Sequence, residues 1–170
     1  MFLEVLEMKV AERDLMASLY PLYIHDISAF GDMYKLDEEG VWQPDFLPFW
    51  LDSEDGARTY LIRVGGQPAG FALVGSRPQF PYMNPDCDYR LCEFFVMRAW
   101  RGQGIGREAV RRLFDKFTGA WELEVLMDNH QGLKFWRHVL PSLVGCIDER
   151  LENGAVNFSF DVAAELQVVQ

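Results

Sequence analysis

The sequence predicts an α+β fold, and three observations predict it. Strand-like runs outnumber helical ones, four of them form hairpin pairs that favour antiparallel pairing, and two amphipathic helices alternate with strands in the second half. At 170 residues the chain has the size of one domain, so residues 1–170 are read as a single unit around a single core.

The start of the chain, Met1 to Lys9, alternates polar and apolar residues as a half-buried strand does. From Ala11 to Leu22, Leu15, Met16 and Leu19 fall at helical spacing, and Pro21 is expected to close that helix. The aromatic stretch from Tyr23 to Trp50 is interrupted by Gly31, Gly40, Pro44 and Pro48, which predicts a second short helix followed by irregular chain. Two β-prone runs, Arg58 to Val64 and Ala69 to Gly75, flank Gly65-Gly66-Gln67-Pro68 and are expected to pair as a hairpin.

Ser76 to Asp88, with Pro78, Pro81 and Pro85, reads as a loop, and the apolar run Tyr89 to Met97 reads as a buried strand. Next, Ile105, Ala109, Val110, Leu113, Phe114 and Phe117 make one apolar stripe of a helix that Gly119 is expected to end. Trp121 to Met127 is a further strand. Asp128, with Gln131 three residues on, resembles a capping box opening a helix to about Leu140, where Pro141 stops it. Leu143 to Leu151 and Ala155 to Val162 are two strands about the turn residues Asn153-Gly154. Whether the last strand pairs within the chain or in a homodimer is left open by the sequence.

Composition narrows the function. Cys87, Cys92 and Cys146 are odd in number and lack CxxC spacing, which argues against a disulfide framework and a zinc site and for a reducing, cytoplasmic location. The N-terminal segment lacks the basic start and long apolar run of an export signal, and no run approaches the roughly 20 apolar residues of a membrane span. No metal is expected, because no His and carboxylate group has ligand spacing. The net charge of −10 disfavours a nucleic-acid partner and favours a cationic one, such as an amine.

Arg101-Gly102-Gln103-Gly104-Ile105-Gly106 lies between a predicted strand and a predicted helix, where glycines allow a tight turn and unpaired helix N–H groups can face an anion. Around it Arg98, Arg101, Arg107, Arg111 and Arg112 outnumber the single acid Glu108, a basic island in an acidic chain that suits a small polyphosphate. Arg111 and Arg112 also fit the solvated face of a helix. A Walker loop is excluded by the missing Gly-Lys-Ser/Thr, and a dinucleotide turn lacks its third glycine where Arg107 stands.

These residues resemble the GNAT superfamily of acetyl-CoA-dependent N-acetyltransferases, whose diphosphate signature is Arg or Gln, two residues, Gly, one residue, then Gly or Ala. Arg101, Gly104 and Gly106 meet it, Glu93-Phe94-Phe95-Val96-Met97-Arg98 looks like the family's fourth strand, and Asn129 to Trp136 looks like the helix after its fifth. The resemblance implies a three-layer sandwich with a mixed, mostly antiparallel sheet of about seven strands, splayed between the fourth and fifth and flanked by helices. It implies acetyl-CoA as cosubstrate and transfer to a primary amine of a small molecule or protein. Phe95, Val96 and Met97 are then expected along the pantetheine arm. Gly102, Gln103, Gly104, Ile105, Gly106 and Arg107, after Arg101, are expected on the diphosphate, with Asn129 on the opposite side, although without the family Asn129 reads as a helix-start residue.

Acetyl transfer needs a neutral amine, so a base must accept a proton. Glu93 is the one carboxylate between Leu91 and Trp100 and the candidate for that base, useful if desolvation raises its pKa. Its other reading is a strand-margin carboxylate with a salt-bridge partner. The tyrosine that follows Phe in many family members, and that assists thiolate departure, is replaced here by Trp136, so either another group such as Tyr89 or Tyr34 supplies the proton or coenzyme A leaves as a thiolate without help. That replacement also keeps a second reading open, an acyl-CoA-binding or sensing module without turnover. His138 fits a helix C-terminus, and His25-Asp26 lies in the aromatic segment that could line an acceptor cleft.

Overall fold

The computed structural model describes residues 2–52, 56–77, 80 and 82–164, so Pro78 and Pro81 of the predicted loop lie outside the described residues. The strands are β1 (Leu3–Glu7), β2 (Lys35–Leu36), β3 (Trp42–Gln43), β4 (Ala57–Val64), β5 (Gln67–Ser76), β6 (Tyr89–Val96), β7 (Gly119–Leu126), β8 (Ile147–Glu152) and β9 (Ala155–Val162). The helices are α1 (Arg13–Ile27), α2 (Leu47–Leu51), α3 (Ile105–Phe114) and α4 (His130–Val139). Seven strands form one sheet in the order β1-β4-β5-β6-β7-β9-β8, and β2 with β3 forms a separate small hairpin. Within the large sheet only β6 and β7 run parallel.

Helices cover both faces, as expected. On one face Ala109, Val110 and Leu113 of α3 and Leu133, Trp136 and Val139 of α4 pack on Trp121, Leu123 and Phe158. On the other, Met16, Leu19, Tyr20, Tyr23 and Ile24 of α1 pack with Leu61, Phe71, Leu73 and Phe95.

Several local expectations are corrected. Pro21 does not end α1; it lies inside a helix that runs to Ile27. An internal proline costs about 3 kcal/mol, but Tyr23 and Ile24 beyond it are both buried, and each such side chain contributes about 1.5–3 kcal/mol. The second helix therefore does not begin near Tyr23; it comes after the β2–β3 hairpin, as α2. The Asp128 capping box is replaced by Asn129, whose Oδ1 accepts the Gly132 N–H at 2.9 Å. Helix α3 stops at Phe114 and Gly119 opens β7, while Phe117 still packs at the margin of the core. The strand expected from Leu143 starts only at Ile147, because Leu140–Ser142 first forms a 3₁₀ turn. Asn153 and Gly154 both take positive φ, 51° and 80°, and the strand after them pairs with β7 of the same chain.

One irregularity positions the site. β6 pairs with β7 only through Tyr89, Arg90 and Leu91, opposite Trp121, Glu122 and Leu123, although the two strands continue to Val96 and Leu126. At the same place the β5–β6 register slips, with Glu93 opposite Leu73 and Leu91 opposite Val74, so Cys92 is the extra residue of a bulge. A bulge bends its strand and increases its twist. β6 thus separates from β7 directly after the bulge, leaving a wedge between them.

Candidate active site

The open part of β6 leads through a 3₁₀ turn at Arg98–Trp100 to the glycine turn and then to α3. Gly102 and Gly104 have φ of 75° and 78°, in the left-handed region. A Cβ at either position would meet no atom within 4 Å, so backbone conformation, and not crowding, is what requires glycine there. Gly104 caps α3 without a side-chain hydrogen bond, and the first intrahelical bond is Glu108 N–H to Gly104 O at 3.1 Å. The N–H groups of Ile105, Gly106 and Arg107 precede that bond and form the positive end of the helix. A Cβ on Gly106 would lie 2.9 Å from the Phe135 ring, so this glycine lets α4 approach α3 closely.

The basic island is narrower than the sequence window suggests. Asp26 of α1 accepts from Arg98 at 2.6 Å and from Arg101 at 2.7 Å. Although burial alone would raise the Asp26 pKa, these two guanidinium groups hold it below the usual carboxylate range. Arg111 and Arg112 pair with Glu108, and Arg111 also pairs with Asp115, as the solvated-face reading anticipates. Arg107 donates to Ser142 Oγ at 3.1 Å. The Arg101 guanidinium also donates to Val96 O at 2.7 Å, tying the turn to the end of β6.

The wedge selects among the residues expected along the strand. Met97 N–H is bonded to Ala69 O at 2.8 Å and Met97 O accepts from Trp100 N–H at 2.9 Å, so both of its main-chain groups already have partners. Main-chain groups of successive strand residues point to opposite edges. With Met97 directed at β5, Phe95 also faces β5, where it lies opposite Phe71, and Val96 and Phe94 direct their N–H groups into the wedge. Phe94 is thus a gap-lining residue that sequence reasoning missed, and the edge alternation is the signal that finds it. Its ring stacks on Phe135 at 5.8 Å and meets Trp136 edge-on at 5.5 Å.

On the α1 side, Glu93 accepts a hydrogen bond from the Tyr23 hydroxyl. Desolvation raises its pKa to about 7, against the lowering by the Tyr23 bond and by Arg90, while Glu124 raises it further. Burial and the neighbouring Glu93 carboxylate push the Tyr23 phenol well above its ordinary value, so it stays protonated. Tyr20 and Tyr34 are buried nearby, and burial lifts the Tyr34 phenol to about 12. The salt-bridge reading of Glu93 is not what forms, because Arg90 pairs with Glu122 at 3.0 Å and with Glu124 at 3.7 Å. The Cys92 thiol, half-buried beside Glu93, is pushed up to about 12 by desolvation and is no nucleophile at neutral pH.

Trp136 is buried and packed against Phe94 and Phe135, so the missing tyrosine is replaced by a core contact. His25 is largely exposed beside Asp26, and among the described residues no three His, Cys, Asp or Glu side chains are grouped to hold a metal. The aromatic run divides as well. Tyr20, Tyr23, Tyr34 and Trp50 are buried, whereas Phe46 and Phe49 stay exposed at the surface of the 42–51 segment.

The model of the Acetyltransferase (GNAT) family matches residues 24–140, more than half of the chain. The chain belongs to this family. An acetyltransferase from Thermus thermophilus superposes with a TM-score of 0.69 at 15% identity, covering 95% of this chain and 97% of the other. The ribosomal-protein-S18-alanine N-acetyltransferase of Escherichia coli superposes with a TM-score of 0.55 at 15% identity over 99% of both chains. PaiA N-acetyltransferase of Thermoplasma acidophilum, solved in complex with coenzyme A, gives 0.59 at 8% identity over 95% of this chain and 99% of the other. Among curated protein sequences no significant match is found. At these identities the superpositions speak for the GNAT fold, and the family match speaks for acetyl transfer from acetyl-CoA.

Proposed function

We propose that this GNAT protein moves an acetyl group from acetyl-CoA to a cationic primary amine, of a small molecule or a protein, by direct attack in a ternary complex. The observation that carries the reading is the wedge itself: a strand edge that opens above Leu91 and ends at unclaimed helix N–H groups. A coenzyme A neighbour of the same fold supports the assignment. In this reading the diphosphate rests on the main chain from Gly102 to Arg107, and the pantetheine arm follows Phe94 and Val96. Asn129 offers its amide N–H, since its Oδ1 is held by Gly132.

An alkylammonium has a pKa near 10.4, so freeing its lone pair at pH 7 costs roughly 4–5 kcal/mol. Glu93 takes that proton, and it is suited to do so because desolvation brings its pKa to about 7. The amine nitrogen then bonds the thioester carbon and the C–S bond breaks. Val96 N–H, directed into the wedge, stabilises the oxygen on which negative charge develops. The nitrogen's second proton leaves with the thiolate, whose ordinary pKa, about 8.5, makes departure possible without the hydroxyl that Trp136 lacks. Three free thiols, Cys87, Cys92 and Cys146, suit a reducing compartment such as the cytoplasm.

Calorimetric titration with coenzyme A tests the binding half, and release of free thiol across a panel of primary amines tests the transfer half. Affinity with turnover is the expected result. Affinity without turnover on any amine assigns a binding module instead, and no affinity ends the reading.

A further inference from the structure

We propose that Tyr23 is a positioning residue for this transfer: its hydroxyl holds Oε2 of Glu93 and leaves Oε1 as the atom that takes the acceptor's proton. The inference rests on the acetyl-transfer reading and adds to it a group 70 residues away from the base in sequence.

The geometry limits what Tyr23 can do. Its ring is buried on α1 and held edge-on by Phe71 at 5.7 Å and by Phe95 at 5.9 Å, so the hydroxyl has a fixed origin. The hydroxyl donates to Oε2 of Glu93 and to no other acceptor among the described residues. Burial keeps Tyr20 and Tyr34, the other phenols near Glu93 from α1 and the following segment, protonated. From β6 and β7, Arg90 and Glu124 act on Glu93 with opposite signs, and Arg90 is already paired with Glu122 and Glu124. Cys92, beside Glu93 on β6, is uncharged at working pH.

A phenol that cannot ionise next to a carboxylate is a donor at every working pH. It fixes the carboxylate rotamer and stabilises the ionised form, while a second cation at that place would pair with Glu93 and suppress its basicity. Loss of the donor leaves a desolvated anion with one fewer partner, and the proton then stays on Glu93 to higher pH.

The test is a carbon-13 NMR titration of full-length protein labelled at glutamate Cδ and tyrosine Cζ. Spectra of Glu93→Gln and Tyr23→Phe assign the two resonances. The wild-type Glu93 signal is expected to titrate near neutrality, and the Tyr23 Cζ signal is expected to follow it with the same midpoint. In Tyr23→Phe the Glu93 midpoint rises by about one pH unit, and the pH profile of kcat moves with it while KM for acetyl-CoA holds. The wild-type coupling stays readable even where Tyr23→Phe does not fold, because Glu93→Gln removes both the Glu93 signal and the titration of the tyrosine that follows it. An unmoved Glu93 midpoint in Tyr23→Phe, or no tyrosine signal tracking Glu93 in a protein that binds coenzyme A, overturns the proposal alone. Coupling in a protein without coenzyme A affinity overturns it through failure of the transfer reading.

Discussion

Below Leu91, β6 has a strand on each edge, and above it only β5 remains; the two stretches treat their carboxylates differently. In the closed stretch, Glu122 of β7 is buried and receives a cation, Arg90, together with the Asn84 N–H at 3.2 Å. In the open stretch, Glu93 receives a neutral phenol, and its pKa climbs to about 7. Glu122 is committed to an ion pair and a main-chain donor, whereas Glu93, desolvated and met by a neutral donor, can exchange a proton near physiological pH. Where the sheet is complete, the carboxylate is held in an ion pair; where it opens, the carboxylate meets a phenol.

The largest effect expected from breaking this contrast is on rate. Glu93→Gln lowers kcat by about 10²–10⁴ with coenzyme A affinity unchanged by calorimetry, and wild-type kcat/KM rises with pH through about 7. The same carboxyl affects stability with a definite sign. Its folded pKa lies above the ordinary glutamate value of 4.5, so the folded protein binds more protons between pH 4.5 and about 7. Its contribution to stability is therefore fully present below 4.5 and is lost as pH rises toward 7, and Glu93→Gln removes that slope from urea midpoints.

Next comes the paired edge of β6. A Cβ on Gly70 would fall upon the Phe95 carbonyl oxygen, backbone that cannot rotate away. Gly70→Ala is expected to cost about 3 kcal/mol in urea unfolding. Glu122→Gln sharpens the carboxylate contrast from the other side. It leaves Arg90 without its buried partner and lowers stability by about 2 kcal/mol, with no shift in the pH midpoint of kcat beyond what the altered Arg90 environment imposes on Glu93.

Smaller effects belong to the two helix starts. Gly104→Asp sets a carboxylate where the diphosphate is expected, so coenzyme A affinity falls by about tenfold or more, and the left-handed backbone at φ 78° lowers stability by about 1 kcal/mol. Asn129→Ala removes the Gly132 cap and costs about 1 kcal/mol in chemical denaturation, with a further loss of coenzyme A affinity if its amide meets the ligand.

Outside residues 23–51, where the β2–β3 hairpin went unread, the order of strands and helices, the two hairpin turns of the large sheet and the glycine turn were legible because each depends on neighbours in sequence. An apolar stripe such as Ile105-Ala109-Val110-Leu113 reports its own periodicity, and Gly102 and Gly104 announce a backbone that few other residues adopt. Glu93 stood out as a lone carboxylate in an apolar strand. Its companion did not, because nothing in the local pattern separates Tyr23 from the other tyrosines of that segment.

By itself, then, the amino-acid sequence determined most of the secondary elements, their order outside residues 23–51 and the turn at the head of α3, since these follow from local propensity and spacing. Tertiary structure decided the rest. Burial of Tyr23 and Ile24 carried α1 through Pro21, the bulge at Cys92 ended the β6–β7 pairing, and Asp26 paired with two arginines of the basic island. Each of these outcomes depends on groups far apart in the chain, whose energies exist only once folding has brought them into contact and removed the water between them.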